Sequence, residues 1–229
     1  MKKQTMKNQT AEKQTTENQT TELVFILDKS GSMASIVSDT IGGFNSMLEE
    51  QKTKEGLCHI TTVLFDNQSV LLHDRIDIRA VNPITKNEYR VGGATALLDA
   101  IGSSIHKISS VQKQTSKKYR AQNVMFVIIT DGEENASRNF NYSQIKEMVE
   151  HQKEKYNWEF IFLGANIDAV EVAGHFGIRP NRAQNFHADS KGMQVNFDAL
   201  NETVLNYRAC ACVSPDWDES ISEDFNKRL

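Results

Sequence analysis

The stretch LVFILDKSGSM, residues 23–33, decides how the rest of the chain is read. Leu23 to Leu27 is continuously apolar, and polarity inverts within one residue at Asp28. An apolar run of that length, rich in branched side chains, marks a strand covered on both faces, as in the parallel sheets of α/β proteins. Its polar end carries one carboxylate, one lysine and two hydroxyls spaced by a single residue, Ser30 and Ser32. Two more runs repeat the apolar pattern: VMFVIITD (124–131) and WEFIFLGA (158–165).

Helical periodicity fills the gaps between these strands. Residues 34–55 read as a helix with Val37, Ile41, Phe44, Met47 and Leu48 at spacings of three and four, and Gly56 reads as its stop. Gly42 and Gly43 weaken that helix by about 1 kcal/mol each, which a close approach of helix to sheet, or a simple bend, would justify. ITTVLF (60–65) and SVLLHDRI (69–76) read as a hairpin closed by Asp66, Asn67 and Gln68, so one arm is an antiparallel edge strand. Leu97, Leu98, Ile101, Ile105 and Ile108 stripe a second helix. Residues 141–152 make a third with Ile145, Met148 and Val149 inward, and Asp168 caps a fourth that ends at Gly177. Residues 182–187 form a last strand, and Met193, Phe197, Leu200, Val204 and Tyr207 trace the final helix. Buried strands alternating with helices predict a doubly wound, Rossmann-like α/β domain: a mostly parallel sheet with one antiparallel edge strand and helices on both faces.

This domain spans residues 22–213. Residues 2–21 repeat with a period of five (KKQTM, KNQTA, EKQTT, ENQTT) and carry almost no apolar side chains, so residues 1–21 read as a disordered arm. Residues 214–229 are acidic and read as a tail, partly ordered at most. The net charge of -4 argues against a nucleic-acid footprint. The apolar runs are strand-sized, short of a membrane span, and the first 22 residues lack the apolar core of a signal peptide. Three cysteines, an odd number without framework spacing, fit a reduced intracellular setting, with Cys210 and Cys212 as two small buried thiols.

Chemistry in open α/β sheets collects at the carboxyl ends of the strands. Three segments fall there: Asp28 to Ser32, the loop Gly92, Gly93, Ala94, Thr95, and Thr130, Asp131, Gly132. Together they present two carboxylates and at least three hydroxyls. An all-oxygen set selects a hard divalent cation, Mg²⁺ first and then Mn²⁺ or Ca²⁺, and disfavours zinc. Two aspartates balance the ion's charge and leave it electrophilic, with positions open to water or an outside carboxylate. Each residue also has a plainer reading. Asp28 and Ser30 could cap the following helix, Thr95 the helix of Leu97, and Asp131 and Gly132 could form an ordinary turn. Asp99, one turn beyond Thr95, reads equally as an acceptor behind the ligands or as a solvated helix carboxylate, and Glu133 and Glu134 read as exposed loop acids.

In this order the three segments resemble the metal-ion-dependent adhesion site of von Willebrand factor type A domains. Asp28, Ser30, Ser32, Thr95 and Asp131 match its five positions, and the likeness extends over roughly residues 21–210. The resemblance implies direct contact of the ion with the hydroxyls of Ser30, Ser32 and Thr95, and contact with the two aspartates directly or through water. It points to the short intracellular bacterial or phage forms of the domain, hence a cytoplasmic protein. It also implies a non-enzymatic scaffold or adapter that binds a partner's Asp or Glu through Mg²⁺, with an AAA+ ATPase or a stress-response protein as partner and no nucleic acid or membrane. The alternative is a Mg²⁺-dependent hydrolase or phosphatase. The sequence shows no nucleophile elbow, no phosphate loop and no second acid near Asp28 to support it. Nucleotide binding at the first turn lacks the Gly-x-Gly-x-x-Gly pattern.

Overall fold

The computed structural model describes residues 19–229. Strands β1 (Thr20–Asp28), β2 (Leu57–Phe65), β3 (Ser69–Asp77), β4 (Asn123–Thr130), β5 (Glu159–Gly164) and β6 (Ala183–Asn185) form one sheet in the order β3-β2-β1-β4-β5-β6. Every neighbouring pair is parallel except β2 and β3, which the turn at residues 66–68 joins as an antiparallel hairpin. The expected architecture is therefore present, antiparallel edge included.

Alternation along the central strands builds two cores. Leu23, Phe25 and Leu27 of β1, with Met125, Val127 and Ile129 of β4, face helices α1 (Val37–Lys52), α5 (Ser190–Cys210) and α6 (Glu219–Lys227). Val24 and Ile26, with Phe126 and Ile128, face α2 (Leu97–Gln114), α3 (Tyr142–Tyr156) and α4 (Ala169–His175). Strands buried on both faces need apolar side chains at every position, which is why their sequences read as unbroken runs. After β1 the chain adds β2 and β3 on one side, then crosses to place β4 on the other side of β1. The winding direction reverses between β1 and β4, and the crevice at that reversal is the usual place for a ligand.

Several local expectations are corrected. The first helix is shorter than residues 34–55: a 3-10 turn occupies Gly31–Ile36, and α1 ends at Lys52 with Thr53 as C-cap. Gly43 does mark a close approach, but to another helix rather than to the sheet. A Cβ there would lie 2.2 Å from the Phe197 ring of α5. The third helix runs on to Tyr156, and the last strand is only Ala183–Asn185. Asp168 caps α4, accepting from the N–H groups of Val170 and Glu171 at 3.1 and 3.0 Å.

Two terminal readings change as well. Residues 1–18 of the repeat arm lie outside the described residues, and Thr20 and Thr21 already belong to β1. Residues 214–229 are not a loose tail. Trp217 and Ile221 are buried in the main core, and the Trp217 indole N–H donates to the Asn181 carbonyl at 2.9 Å. Asp224 pairs with Lys191 at 2.5 Å, and His187 stacks on Phe225 at 4.7 Å. The acidic composition hid α6 because its apolar contacts are few and its carboxylates bind specific cations. Cys210 and Cys212 are exposed and joined by a disulfide rather than being separate buried thiols.

The paired glycines of α1 give a test with opposite signs. Gly43→Ala drives a methyl into the Phe197 ring and should lower stability by about 1–3 kcal/mol. At Gly42 a Cβ meets nothing within 4 Å. Gly42→Ala should therefore raise stability by about 0.5–1 kcal/mol through its better helix propensity. Urea unfolding midpoints of the two variants check the pair.

Candidate metal centre

β1 delivers Asp28 and β4 delivers Thr130 and then Asp131 to the crevice, because these two strands flank the reversal in winding. Asp28 is fully buried, and Ser30, Thr95 and Asp131 are no more than 3% exposed. Ser32 is exposed, so the cluster opens to solvent on that side. A chain of contacts links four of the five expected ligands. The Ser30 N–H donates to Asp28 Oδ1 at 2.7 Å, the Ser30 and Ser32 hydroxyls lie 3.0 Å apart, and Ser32 Oγ donates to Asp131 Oδ1 at 2.5 Å. Thr95 arrives from the other side. A methyl placed on Gly132 would be 3.7 Å from Ser32 Oγ and 3.9 Å from Thr95 Oγ1, so both hydroxyls border the same small space.

Ser30 precedes the 3-10 turn but makes no side-chain cap bond, and α1 has none either. Ala96 is the N-cap residue of α2, and it too makes no side-chain cap bond. That duty falls to Glu134, whose Oε2 accepts from the Leu98 N–H at 2.9 Å while Oε1 accepts from the Ala136 and Ser137 N–H groups at 2.9 and 2.7 Å. A carboxylate from the loop after β4 thus meets the orphan N–H end of a helix from a different crossover. Glu134 is half-buried, not an exposed loop acid.

Asp99 is bound to the same loop, and none of its hydrogen bonds reaches an expected ligand. Its oxygens accept from the N–H groups of Arg138, Asn139 and Phe140 at 3.0, 2.9 and 3.0 Å. Burial works against its charge, but those amides outweigh it and hold the carboxyl below its ordinary range. Asn135 completes the clasp, its Oδ1 accepting from the Thr95 N–H at 2.9 Å while its own N–H donates to the Thr95 carbonyl at 3.0 Å. Sequence alone reads Glu134 only as an exposed loop acid and does not mark Asn135; three acids and two amides within residues 131–139 are their trace.

The other loops interlock with this one. The Gly31 N–H donates to the Gly93 carbonyl at 3.2 Å and the Gly92 N–H to the Lys29 carbonyl at 2.9 Å. Gly93 has φ +74°, and a Cβ on it would sit 2.3 Å from Asn67 Oδ1, so only glycine fits. Lys29 forms an ion pair with Asp66 at the hairpin tip, which takes the nearest cation away from the cluster. The Tyr89 hydroxyl donates to the Asp28 carbonyl from below.

Burial pushes both Asp28 and Asp131 above the usual carboxylate range, against the hydrogen bonds from Thr130 and Ser30 to the first and from Ser32 to the second. Thr130 Oγ1 donates to Asp28 Oδ2 at 2.6 Å. Two buried carboxyls held above their normal values are groups that a cation would stabilise. The donors fit one. All five are oxygens, and neighbouring corners of an octahedron with bonds of about 2.1 Å lie about 3.0 Å apart, which is the Ser30–Ser32 separation. Among the described residues no group of three or more His, Cys, Asp or Glu is arranged to hold a metal, so this mixed carboxylate and hydroxyl set is the candidate.

No protein-family model matches the sequence, and no curated protein does either. Solved structures do. A domain described as von Willebrand factor type A from Catenulispora acidiphila superposes with a TM-score of 0.53 at 12% identity, over 82% of this chain and 43% of its own. The fold is a von Willebrand factor type A fold. A variant of the PilB minor pilin from Streptococcus sanguinis gives 0.54 at 12% identity, over 82% of this chain and 62% of its own. Proximal thread matrix protein 1 from the mussel byssus, with a zinc-occupied adhesion-site motif, gives 0.52 at 13% identity, over 85% and 46%. The chain thus spans about half the length of these structures, and the likeness concerns the fold. No described helix is long and apolar enough to cross a membrane.

Mg²⁺ at about a hundred times its Kd should raise the unfolding free energy by about 2.7 kcal/mol, and Asp28→Ala should abolish that shift in thermal melts. Because Asp28 and Asp131 have raised values in the folded state, the metal-free protein should lose stability as pH rises from the ordinary carboxylate range through those values. Cation affinity should run the opposite way, weakening as pH falls and protons compete, as calorimetric titrations across pH would record. Glu134→Ala should cost about 1–2 kcal/mol through the lost helix contact and weaken cation binding by loosening the Thr95 loop.

Proposed function

We propose that this chain is a metal-dependent interaction module, a scaffold or adapter that captures a partner's Asp or Glu side chain through a divalent cation. The observation that carries the reading is that the hydroxyls of Ser30, Ser32 and Thr95 are used by no helix cap, yet converge with two carboxylates on one opening. Asp28, Ser30, Ser32, Thr95 and Asp131 would hold the ion. Bound there, it would supply an electrophilic coordination position facing solvent beside Ser32. Two aspartates match its charge without excess, and Lys29 is held by Asp66, so an incoming carboxylate meets a site not already saturated with negative charge. Mg²⁺ suits the donors best, with Mn²⁺ or Ca²⁺ as alternatives. The zinc in the byssus protein's motif makes the choice of ion a matter for direct titration.

The residues around the cluster favour this reading over a Mg²⁺-dependent hydrolase or phosphatase. A hydrolase needs a general base or acid within reach of the metal's open side. Glu134 and Asp99 already accept from backbone amides, Lys29 is paired, and burial pushes the Tyr89 phenol up while its proton goes to the Asp28 carbonyl. Asp99 and Glu134 are engaged in holding loops, and Glu133 beside them is exposed with no partner of its own among the described residues. An AAA+ ATPase or a stress-response protein is the partner class we favour, and the cytoplasm the compartment. In a reducing compartment the Cys210–Cys212 bond would be a responsive pair rather than a permanent staple.

Affinity capture from native lysate should recover a partner in Mg²⁺ and lose it in EDTA, in Asp28→Ala and in Ser30→Ala. A partner retained in all four conditions overturns the proposal. Turnover of a generic phosphate ester that needs Mg²⁺ and disappears in Asp28→Asn would establish the hydrolase in its place.

A further inference from the structure

The far end of α5 carries chemistry that the metal site does not use. Cys210 is the last residue of the helix, and it is disulfide-bonded to Cys212 across a single residue, Ala211. Ala211 takes the left-handed conformation, with φ 54°, and its N–H closes the helix on the Tyr207 carbonyl at 2.8 Å. Both bonded cysteines are exposed. The third cysteine is their opposite: Cys58 is 2% exposed, and burial pushes its thiol up to about 12. The chain therefore holds one sulfur pair open to attack and one thiol that is sealed and protonated.

The bond sits where the chain changes direction. Directly after it Val213 is buried and its carbonyl accepts from Arg182 Nη2 at 3.4 Å. Trp217 then anchors on Asn181, and α6 packs along α5 and β6. Closing a loop over one residue restrains the unfolded chain far less than a long loop does, so general stabilisation is a poor account of this bond. What it constrains is local: the left-handed exit from α5 that sends residues 213–227 back onto the core. Exposed disulfides are the labile ones, open to exchange with thiols.

We propose that Cys210 and Cys212 form a reversible thiol–disulfide exchange site, with low-molecular-weight thiols as its substrate class, whose redox state sets how firmly residues 213–227 are held. An attacking thiolate bonds to one cysteine sulfur, breaking the Cys210–Cys212 bond and releasing the other as a thiolate, which takes up a proton. A second thiol molecule then displaces the first from the mixed disulfide. Both cysteines end as thiols, and the two attacking molecules leave as their own disulfide.

The full chain tests this directly, with glutathione as the probe. Denatured without reductant and alkylated, the protein should label at Cys58 alone. In its native state under excess reduced glutathione, Cys210 and Cys212 should become alkylatable while Cys58 stays protected, which reports that the core remains folded. In the same state, amide hydrogen exchange across residues 213–227 should rise several-fold, and oxidised glutathione should reverse it. The Cys210→Ser, Cys212→Ser double variant should exchange like the reduced protein. Labelling of Cys210 and Cys212 before any reduction would overturn the proposal. So would a bond that survives excess glutathione, or exchange across residues 213–227 that is the same in the oxidised, reduced and double-serine forms.

Discussion

A carboxylate with no exposure, set at the end of the central strand, governs the organisation of the sheet's carboxyl edge. Burying an unmatched charge costs several kcal/mol, so everything near Asp28 must answer it or stay away from it. The Ser30 N–H and the Thr130 hydroxyl meet its two oxygens, and Tyr89 meets its carbonyl. Thr130 stands at the end of the neighbouring strand, so the same hydrogen bond that satisfies Asp28 also ties β1 to β4 across the reversal in winding. Asp131, one residue on, adds a second buried carboxyl without adding a cation. The adjacent lysine turns to Asp66 instead. Two carboxyls, three hydroxyls and no paired cation make a place that a divalent ion would complete.

Rigidity around that place comes from acids used as clamps. Asp99 and Glu134 point in opposite directions along the chain, one from α2 onto the loop after β4, the other from that loop onto the start of α2. Each meets backbone N–H groups that would otherwise be orphaned. The reciprocal arrangement fixes Thr95 between them, with Asn135 holding both its N–H and its carbonyl. Ligands positioned this way lose little freedom when an ion arrives, which is the advantage of a pre-formed site. The same clamps occupy the oxygens of Asp99 and Glu134 with backbone N–H groups.

The last helices give the second framework. Asp189 caps α5, its Oδ1 accepting from the Gly192 N–H at 2.8 Å, and also pairs with Arg228 beyond α6 at 2.5 Å. Lys191 and Asp224 add a parallel link. α5 is thus held at its start by ion pairs from the chain's end and at its finish by the Cys210–Cys212 bond. Isolated exposed pairs contribute little, and the burial of Ile221 and Trp217 supplies the apolar part of this contact.

Much of this was legible in the linear order of residues, for reasons of periodicity. Unbroken apolar runs required strands buried on both faces, and three-and-four spacing required helices to cover them. The positions of Asp28, Thr95 and Asp131 at the sheet's carboxyl edge follow from those two patterns, while the strand order β3-β2-β1-β4-β5-β6 is set by the tertiary structure. Local composition misled where the deciding contact was distant. Gly43 answers to Phe197, the acidic α6 answers to Lys191 and Arg228, and Glu134 answers to an amide on another helix. Cys210 and Cys212 looked like thiols because nothing in their spacing shows that the helix ends between them. The sequence by itself determined that a carboxylate and two hydroxyls would sit at the mouth of a buried strand. Only the tertiary structure decided that those hydroxyls cap nothing, because packing of β1 against β4 sets them against each other and against Asp131, and a residue's hydrogen-bonding partner is settled by packing rather than by neighbours in the chain.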